Sequence, residues 1–278
     1  MLYDFSNGLV SLFSDEKQRE IQRAVITEFA EDMRGIDAEV LLNHNCFYVP
    51  NDEFMIYFWG NEITDPKYGI YNGSQCRFYK RVIYPIYDFR DRVISFVGYT
   101  DEKIDGVPKY LYQPKRIFNK GKFIFMRKSE YIKAKNDGYV CVTDGLMDKF
   151  RFNSMGMNSS AQMATILTEE QKCYYEFIDR IIIPYDNDPA GKMLLKMFTD
   201  AFPMKTSGFY QNYGHDFDDF MKVKGNREKF MEEFNHMKRT GFNAYRYDVQ
   251  QTMKRSDNYR SSLLNTNLTY TSKKQSSN

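Results

Sequence analysis

Three acidic groups in the chain carry the most chemistry. They are Asp144-Gly145 with Asp148 one helical turn on, Asp186-Asn187-Asp188, and Gly214-His215-Asp216-Phe217-Asp218-Asp219. Each follows a short stretch whose composition predicts a strand: Tyr139–Thr143, Arg180–Tyr185 and Gly208–Gln211. In open α/β sheets, sites gather at the carboxyl ends of strands. Carboxylates converging there repel, since two unit charges ~4 Å apart cost about 4 kcal/mol at an effective dielectric near 20. Hard divalent cations with oxygen ligands offset that repulsion, and Mg²⁺ in such a site takes protein carboxylates together with substrate phosphates. Paired ions then suit phosphoryl or nucleotidyl transfer. Taken singly, an Asp-Gly reads as a turn and Asp188-Pro189 as a helix cap. Three in succession, each at a strand end, read as a metal site. His215 beside the last group reads as a surface or supporting residue rather than a ligand.

The elements that must position these acids alternate. After Asp137-Gly138 the pattern gives the strand Tyr139–Thr143 and a helix over Leu146–Phe152. A helix over Thr168–Phe177 follows, opened by a Thr168/Gln171 capping box. The strand Arg180–Tyr185 comes next, then a helix that Asp188 caps and Pro189 starts. The strand Gly208–Gln211 and a helix over Asp218–Lys224 complete the series. Repeated units of this size predict a mostly parallel sheet flanked by helices. Pro184 breaks a local rule, because it cannot donate to a ladder; it marks either an edge strand or a strand's end.

The N-terminal half reads differently. Ser14–Met33 is predicted helical, with Ser14 as cap and Ile21, Val25 and Phe29 as its inner stripe. A shorter helix over Ile36–Leu42 enters through Asp37. From Phe47 to Tyr99, aromatic and β-branched runs (Phe54–Trp59, Val82–Tyr87, Arg92–Val97) between Gly, Asn and Asp predict antiparallel strands. The fold class expected is therefore α/β, an α+β N-terminal subdomain followed by a mostly parallel sheet.

Charge divides along the same line. From Arg77 to Lys135 there are 15 Lys or Arg against 6 Asp or Glu, a local +9; from Asn136 to Asp219 there are 13 acids against 7 bases, a local −6. A basic half beside an acidic half suits an enzyme that polymerises or cleaves nucleic acid. Cys46, Cys76, Cys141 and Cys173 stand far apart, which argues against a zinc ribbon and against a disulfide framework. No run of about 18 apolar residues predicts a membrane helix. Met1–Val10 lacks the pattern of a signal peptide, so a cytoplasmic protein is expected.

At this point the residues resemble the TOPRIM domain and, more narrowly, the catalytic core of bacterial-type (DnaG-type) DNA primases. Asp144-Gly145-Leu146-Met147-Asp148 is similar to the primase Glu-Gly-Tyr-Met-Asp. Tyr185-Asp186-Asn187-Asp188-Pro189-Ala190-Gly191 is similar to Asp-x-Asp-x-Ala-Gly, and Gly214–Asp219 to Gly-x-Asp-Pro-Asp-Asp/Glu. Ahead of them, Arg77–Asp88 resembles Phe-x-x-Arg-x-x-Phe-Pro-Ile-x-Asp, with Val93–Gly98 following at the expected place. Pro108–Tyr112 resembles Pro-Lys-Tyr-Leu-Asn, Phe118–Gly121 resembles Phe-x-Lys-Gly, and Arg34-Gly35-Ile36 resembles the Arg-Gly-Ile/Leu that opens the core. The resemblance covers roughly residues 34–225. Two places depart from the pattern: Asp144 stands where the family has Glu, and Gly98-Tyr99-Thr100 stands where a basic residue usually follows Phe-x-Gly-x.

The resemblance implies synthesis of short RNA primers on single-stranded DNA from NTPs. It implies Mg²⁺ or Mn²⁺, two ions and no zinc, held by Asp144, Asp186 and Asp188, the catalytic acids, with Asp216 and Asp218 as further ligands and Asp148 behind them. Lys109 and Lys120 would contact nucleotide phosphates; Arg77, Lys80 and Arg81 would lie along the template groove. The expected division is a basic subdomain over 1–135, a TOPRIM-like domain over 136–225, a helical extension over 226–253 and a disordered tail over 254–278. The family's zinc-binding and helicase-binding domains are not read in the chain. A replicative helicase or separate zinc-domain protein is thus the expected partner, and the size resembles a phage-encoded primase acting in host cytoplasm. Two other readings stand beside this one: a TOPRIM nuclease, which the basic segment disfavours, and a single-stranded DNA-binding replication subunit of weak activity, which Asp144 keeps open.

Overall fold

The computed structural model describes residues 3–102, 106–185, 189–210 and 225–240. The basic half is built around an antiparallel sheet of order β1-β4-β5-β6, from β1 (Phe47–Val49), β4 (Arg81–Tyr87), β5 (Val93–Tyr99) and β6 (Tyr110–Tyr112). A small hairpin, β2 (Tyr71–Asn72) with β3 (Gln75–Cys76), precedes it. β4 and β5 are buried at every position, because helices cover both faces of the sheet. That is why they read as continuous apolar runs rather than alternating ones. Register shifts from Ile86↔Ser95 to Tyr87↔Val93, which makes Ile94 a bulge.

The helices of this half correct the sequence reading in three ways. α1 (Ser6–Ser14) was not expected, and it closes at Ser14, so the cap of α2 (Glu16–Thr27) is Asp15, whose carboxylate accepts from Gln18 N at 2.9 Å. The inner stripe of α2 is Gln22 and Ile26, continuing to Phe29 and Ala30, while Ile21 is 44% exposed. Gln22 is buried because its amide serves the open edge of β1, donating to Tyr48 O (3.0 Å) and accepting from Tyr48 N (2.6 Å). Finally, Phe54–Trp59 is a helix (α4), not a strand. Phe54, Met55, Phe58 and Trp59 fall on one helical face while Tyr57 points outward, so packing against α1 overrides aromatic β-propensity. Asp37 does cap α3 (Ala38–Asn43), accepting from Glu39 N at 3.0 Å.

The acidic half contains a second sheet of order β10-β9-β7-β8, all parallel, as the alternating pattern predicts: β7 (Tyr139–Thr143), β8 (Ser159–Ala161), β9 (Arg180–Tyr185) and β10 (Thr206–Tyr210). β7 and β9 have the predicted bounds. α5 (Lys128–Asp137), α7 (Glu169–Tyr175) and α8 (Pro189–Ala201) lie on one face. α6 (Leu146–Ser154) and α9 (Asn226–Thr240) lie on the other, where Phe152 stacks on Phe230. The Thr168/Gln171 capping box is present on α7. Pro184 is tolerated because pairing of β7 with β9 ends at Cys141↔Ile182, and only β10 runs beside it. The expected helix over 218–224, the Asp188 cap and the tail lie outside the described residues.

α6 joins the two halves. Its Leu146, Met147 and Phe150 enter the same cluster as Tyr84, Val97 and Tyr99 of the antiparallel sheet, while Phe152 faces α9.

Candidate active site

Parallel pairing of β7 with β9 makes both strands leave the sheet on one edge, at Thr143 and Tyr185. Asp144, the next residue after β7, is exposed on that edge. Thr143 pins the turn beneath it, its hydroxyl lying 2.8 Å from Gly145 O and 3.3 Å from Ser160 O. Asp148 folds back over the turn: a Cβ at position 145 would stand 3.1 Å from its Oδ2, a tight contact. Asp148 is paired with the buried Arg151 at 3.1 Å, and Arg151 Nη2 also donates to Arg34 O at 3.2 Å. Asp144 and Asp148 are the expected acids that fall within the described residues; Asp186, Asp188, Asp216, Asp218 and His215 lie outside them. Among the described residues no group of three or more His, Cys, Asp or Glu stands together. The donors in hand are carboxylate oxygens on a solvent-facing strand end, a set that fits a hard divalent cation.

The cations come from the basic half. Lys109 is exposed, with Nζ 5.6 Å from the Tyr99 ring centroid. Its carbonyl accepts from Thr100 N (3.1 Å) and from Arg81 Nη1 (3.3 Å). Arg81 itself is buried and also reaches Gly98 O at 3.4 Å. Burial lowers the pKa of its guanidinium from the ordinary value. Its path across β5 requires Gly98, where a Cβ would lie 2.6 Å from Phe78 and 2.8 Å from Arg81 Cδ. Of the three residues expected along the template groove, Lys80 is exposed beside Tyr79, with Nζ 5.3 Å from its ring. Arg77 is half-buried and donates to Gly69 O at 2.9 Å, and Arg81 lies inside the sheet.

Lys120 sits in a short turn over Lys120–Lys122, its Nζ 4.6 Å from the Tyr112 ring. Sequence reasoning missed what holds that turn. Gln171, fully buried, donates to Phe123 O (2.8 Å) and Lys120 O (3.3 Å), while Thr168 Oγ1 donates to Gly121 O. The two capping residues of α7 thus fasten the basic turn to the acidic half; the capping box was legible, its second use was not. A cavity of about 510 Å³ opens there, lined in part by Lys115, Asn119, Lys120, Lys122 and Thr168. Arg34 and Arg151 were also missed as site neighbours.

Fold and site together define an α/β protein that sets a basic antiparallel sheet against the carboxylate-bearing edge of a parallel one. Residues 13–131 match the family model described as the DNA primase catalytic core, N-terminal domain. The DNA primase of Aquifex aeolicus (strain VF5) is 32% identical over 217 residues, 70% of this chain and 42% of that protein. The crystal structure of the zinc-binding and RNA polymerase domains of the Aquifex aeolicus primase superposes with a TM-score of 0.63 at 26% identity, covering 82% of this chain and 57% of that one. A DnaG primase catalytic domain bound to single-stranded DNA shares the fold, with a TM-score of 0.63 at 22% identity over 83% of this chain and 79% of that one. Over most of its length the chain is similar to DnaG-type primase catalytic cores. It spans about two fifths of the length of the Aquifex relative. No helix among the described residues is long and apolar enough to cross a membrane.

Proposed function

We propose that the chain is the catalytic core of a DNA primase and makes short RNA primers on single-stranded DNA in the cytoplasm. The observation that carries this reading is Asp144, exposed on the edge shared by β7 and β9, in a body that also presents Lys109 and Lys120. A primer 3′-hydroxyl attacks the α-phosphate of an NTP; the new P–O bond forms as the bond to the β-phosphate oxygen breaks and pyrophosphate leaves. Lys109 and Lys120 bind the triphosphate and offset its charge. Lys80 and Arg77 follow the template backbone, with Tyr79 as a stacking surface. Arg81 acts through the carbonyl of Lys109, and Asp148 holds Arg151. Asp144, Asp186 and Asp188, supported by Asp216 and Asp218, would hold divalent ions, Mg²⁺ or Mn²⁺ and two in number, which supply charge neutralisation at the reacting phosphate. The division into a basic subdomain over 1–135, a TOPRIM-like domain over 136–225 and a helical extension over 226–253 belongs to the same proposal. So does pairing with a replicative helicase or a separate zinc-domain protein.

Support comes from the similarity to primase cores and from a solved catalytic domain of this fold that carries single-stranded DNA. The test is incubation of the full chain with single-stranded DNA, Mg²⁺ or Mn²⁺ and labelled NTPs. Oligoribonucleotides are expected, and Asp144→Asn and Asp186→Asn should abolish them. If none appears even with a zinc-domain protein added, the reading is wrong.

A further inference from the structure

A relay of buried amides runs from the basic turn to the acid-bearing one. Gln171 is 0% exposed, and its Nε2 donates to Phe123 O (2.8 Å) and Lys120 O (3.3 Å). Two carbonyls on that nitrogen fix the orientation of the amide, because a carbonyl only accepts. Its Oε1 accepts from Thr168 N at 3.2 Å and from Gln162 Nε2 at 2.8 Å. Gln162, 5% exposed, is the residue after β8, and its backbone N donates to Thr143 O at 2.8 Å. Three hydrogen bonds therefore lead from the carbonyl of Lys120 to the peptide that joins Thr143 to Asp144. The Thr143 hydroxyl, 2.8 Å from Gly145 O, holds the far side of the same turn.

Stability alone does not account for an amide at position 162. With Nε2 committed to Gln171 and to Ile166 O (3.3 Å), the Oε1 of Gln162 is buried without a hydrogen-bond partner among the described residues. An unpaired buried acceptor destabilises a fold. A leucine there would remove that acceptor and strand no buried group, since Ile166 is 70% exposed and Gln171 Oε1 keeps its bond from Thr168 N. What leucine would lose is transmission. A planar amide bonded at both ends is a stiff strut, and two in series hold one turn against the other.

We propose that Gln162 and Gln171 are positioning residues that fix the distance between the turn bearing Lys120 and the turn bearing Asp144, across the seam of the two halves. Neither side chain touches substrate. Each turn keeps its own ligand, and the relay sets the reach from the ammonium on one to the carboxylate on the other. That Lys120 meets the nucleotide and Asp144 a metal ion rests on the primer-synthesis reading; the coupling of the two turns does not.

The test has a geometric arm and a kinetic arm, both on the full chain. In the first, Lys120→Cys and Asp144→Cys carry nitroxide labels whose separation is read by double electron–electron resonance. The relay uses only the backbone of these turns, so both substitutions leave it intact. Cys173, the exposed cysteine, is replaced by Ser, and the other three are buried. Gln162→Leu should broaden the distance distribution while leaving the unfolding midpoint nearly unchanged. In the second arm, Gln162→Leu should lower kcat for primer synthesis by about tenfold or more and change KM for NTP by less than about twofold. Beside Lys120→Ala the same substitution should cost about twofold or less, because the turn no longer carries the group being aligned. Should the Leu variant fail to fold, Gln162→Met repeats both arms. An unchanged distance distribution overturns the proposal, as do equal kcat losses in both Lys120 backgrounds. A merely structural role would lower the midpoint and leave distance and kcat native in the folded chain. A chain whose labelled turns respond as expected but which makes no primers sinks the functional reading and leaves the coupling standing.

Discussion

Lys80 concentrates two demands in one residue. Its backbone is in the left-handed region at φ +54, a conformation that costs an L-residue roughly 1–2 kcal/mol, while its amide is held to Val49 O at 2.8 Å. Its side chain is exposed beside Tyr79 and is proposed to meet template phosphate. Lys80→Gly should therefore stabilise the fold by about 0.5–1 kcal/mol in denaturant unfolding. The same variant should reduce the slope of log K against log salt for DNA binding by about 1. A loss of stability would show that the turn is not strained; an unchanged slope would remove Lys80 from the DNA surface. Residue chemistry of this kind was partly legible. Asp144 could be named from its place after an apolar run, whereas the left-handed backbone at Lys80 has no signature, because glycine or asparagine would be expected there.

At the scale of elements, α6 matters most, since it begins at the turn carrying Asp144 and packs on both sheets. Lys149 on this helix is fully buried, ion-paired with Glu130 of α5 and 4.7 Å above the Phe150 ring. Burial alone would raise the Glu130 carboxyl, but the charge and hydrogen bond of Lys149 beside it overcome that and hold it below the usual range. Lys149→Met should cost about 3–5 kcal/mol, because it leaves Glu130 uncompensated, and adding Glu130→Gln should restore most of the loss. Additive losses in denaturant unfolding would show that the pair is not coupled. β5 offers a second test. Gly98→Ala places a methyl within 2.6 Å of Phe78 and 2.8 Å of Arg81, so it should destabilise by about 1–3 kcal/mol and weaken nucleotide binding through the Lys109 carbonyl. An unaltered unfolding midpoint would refute the close approach.

The whole molecule responds to pH through the seam between its halves. His44, at the end of α3, stacks on Phe125 at 4.8 Å and meets Phe150 and Tyr87 edge-on at 5.3 Å. Burial, then the charge of Lys149, lowers its pKa to about 3. An unfolded histidine titrates near about 6.5, so between these values the unfolded chain binds a proton that the native one refuses. Stability should fall as pH drops from about 6.5 toward 3, and His44→Phe should remove up to about 1.4 kcal/mol per pH unit from that slope. An identical slope in the variant would place the acid sensitivity elsewhere. The alternating β–α half, the bounds of β7 and β9, and the split of charge were all readable from the chain, because short-range periodicity and composition carry them. What only the tertiary structure decided is different in kind. Gln22 is inside because an edge strand needs its amide, Phe54–Trp59 is helical because α1 covers it, and Arg34 and Lys109 share the Tyr99 ring. Each depends on a partner distant in sequence, and no local pattern records which surface a side chain will meet once the chain has closed on itself.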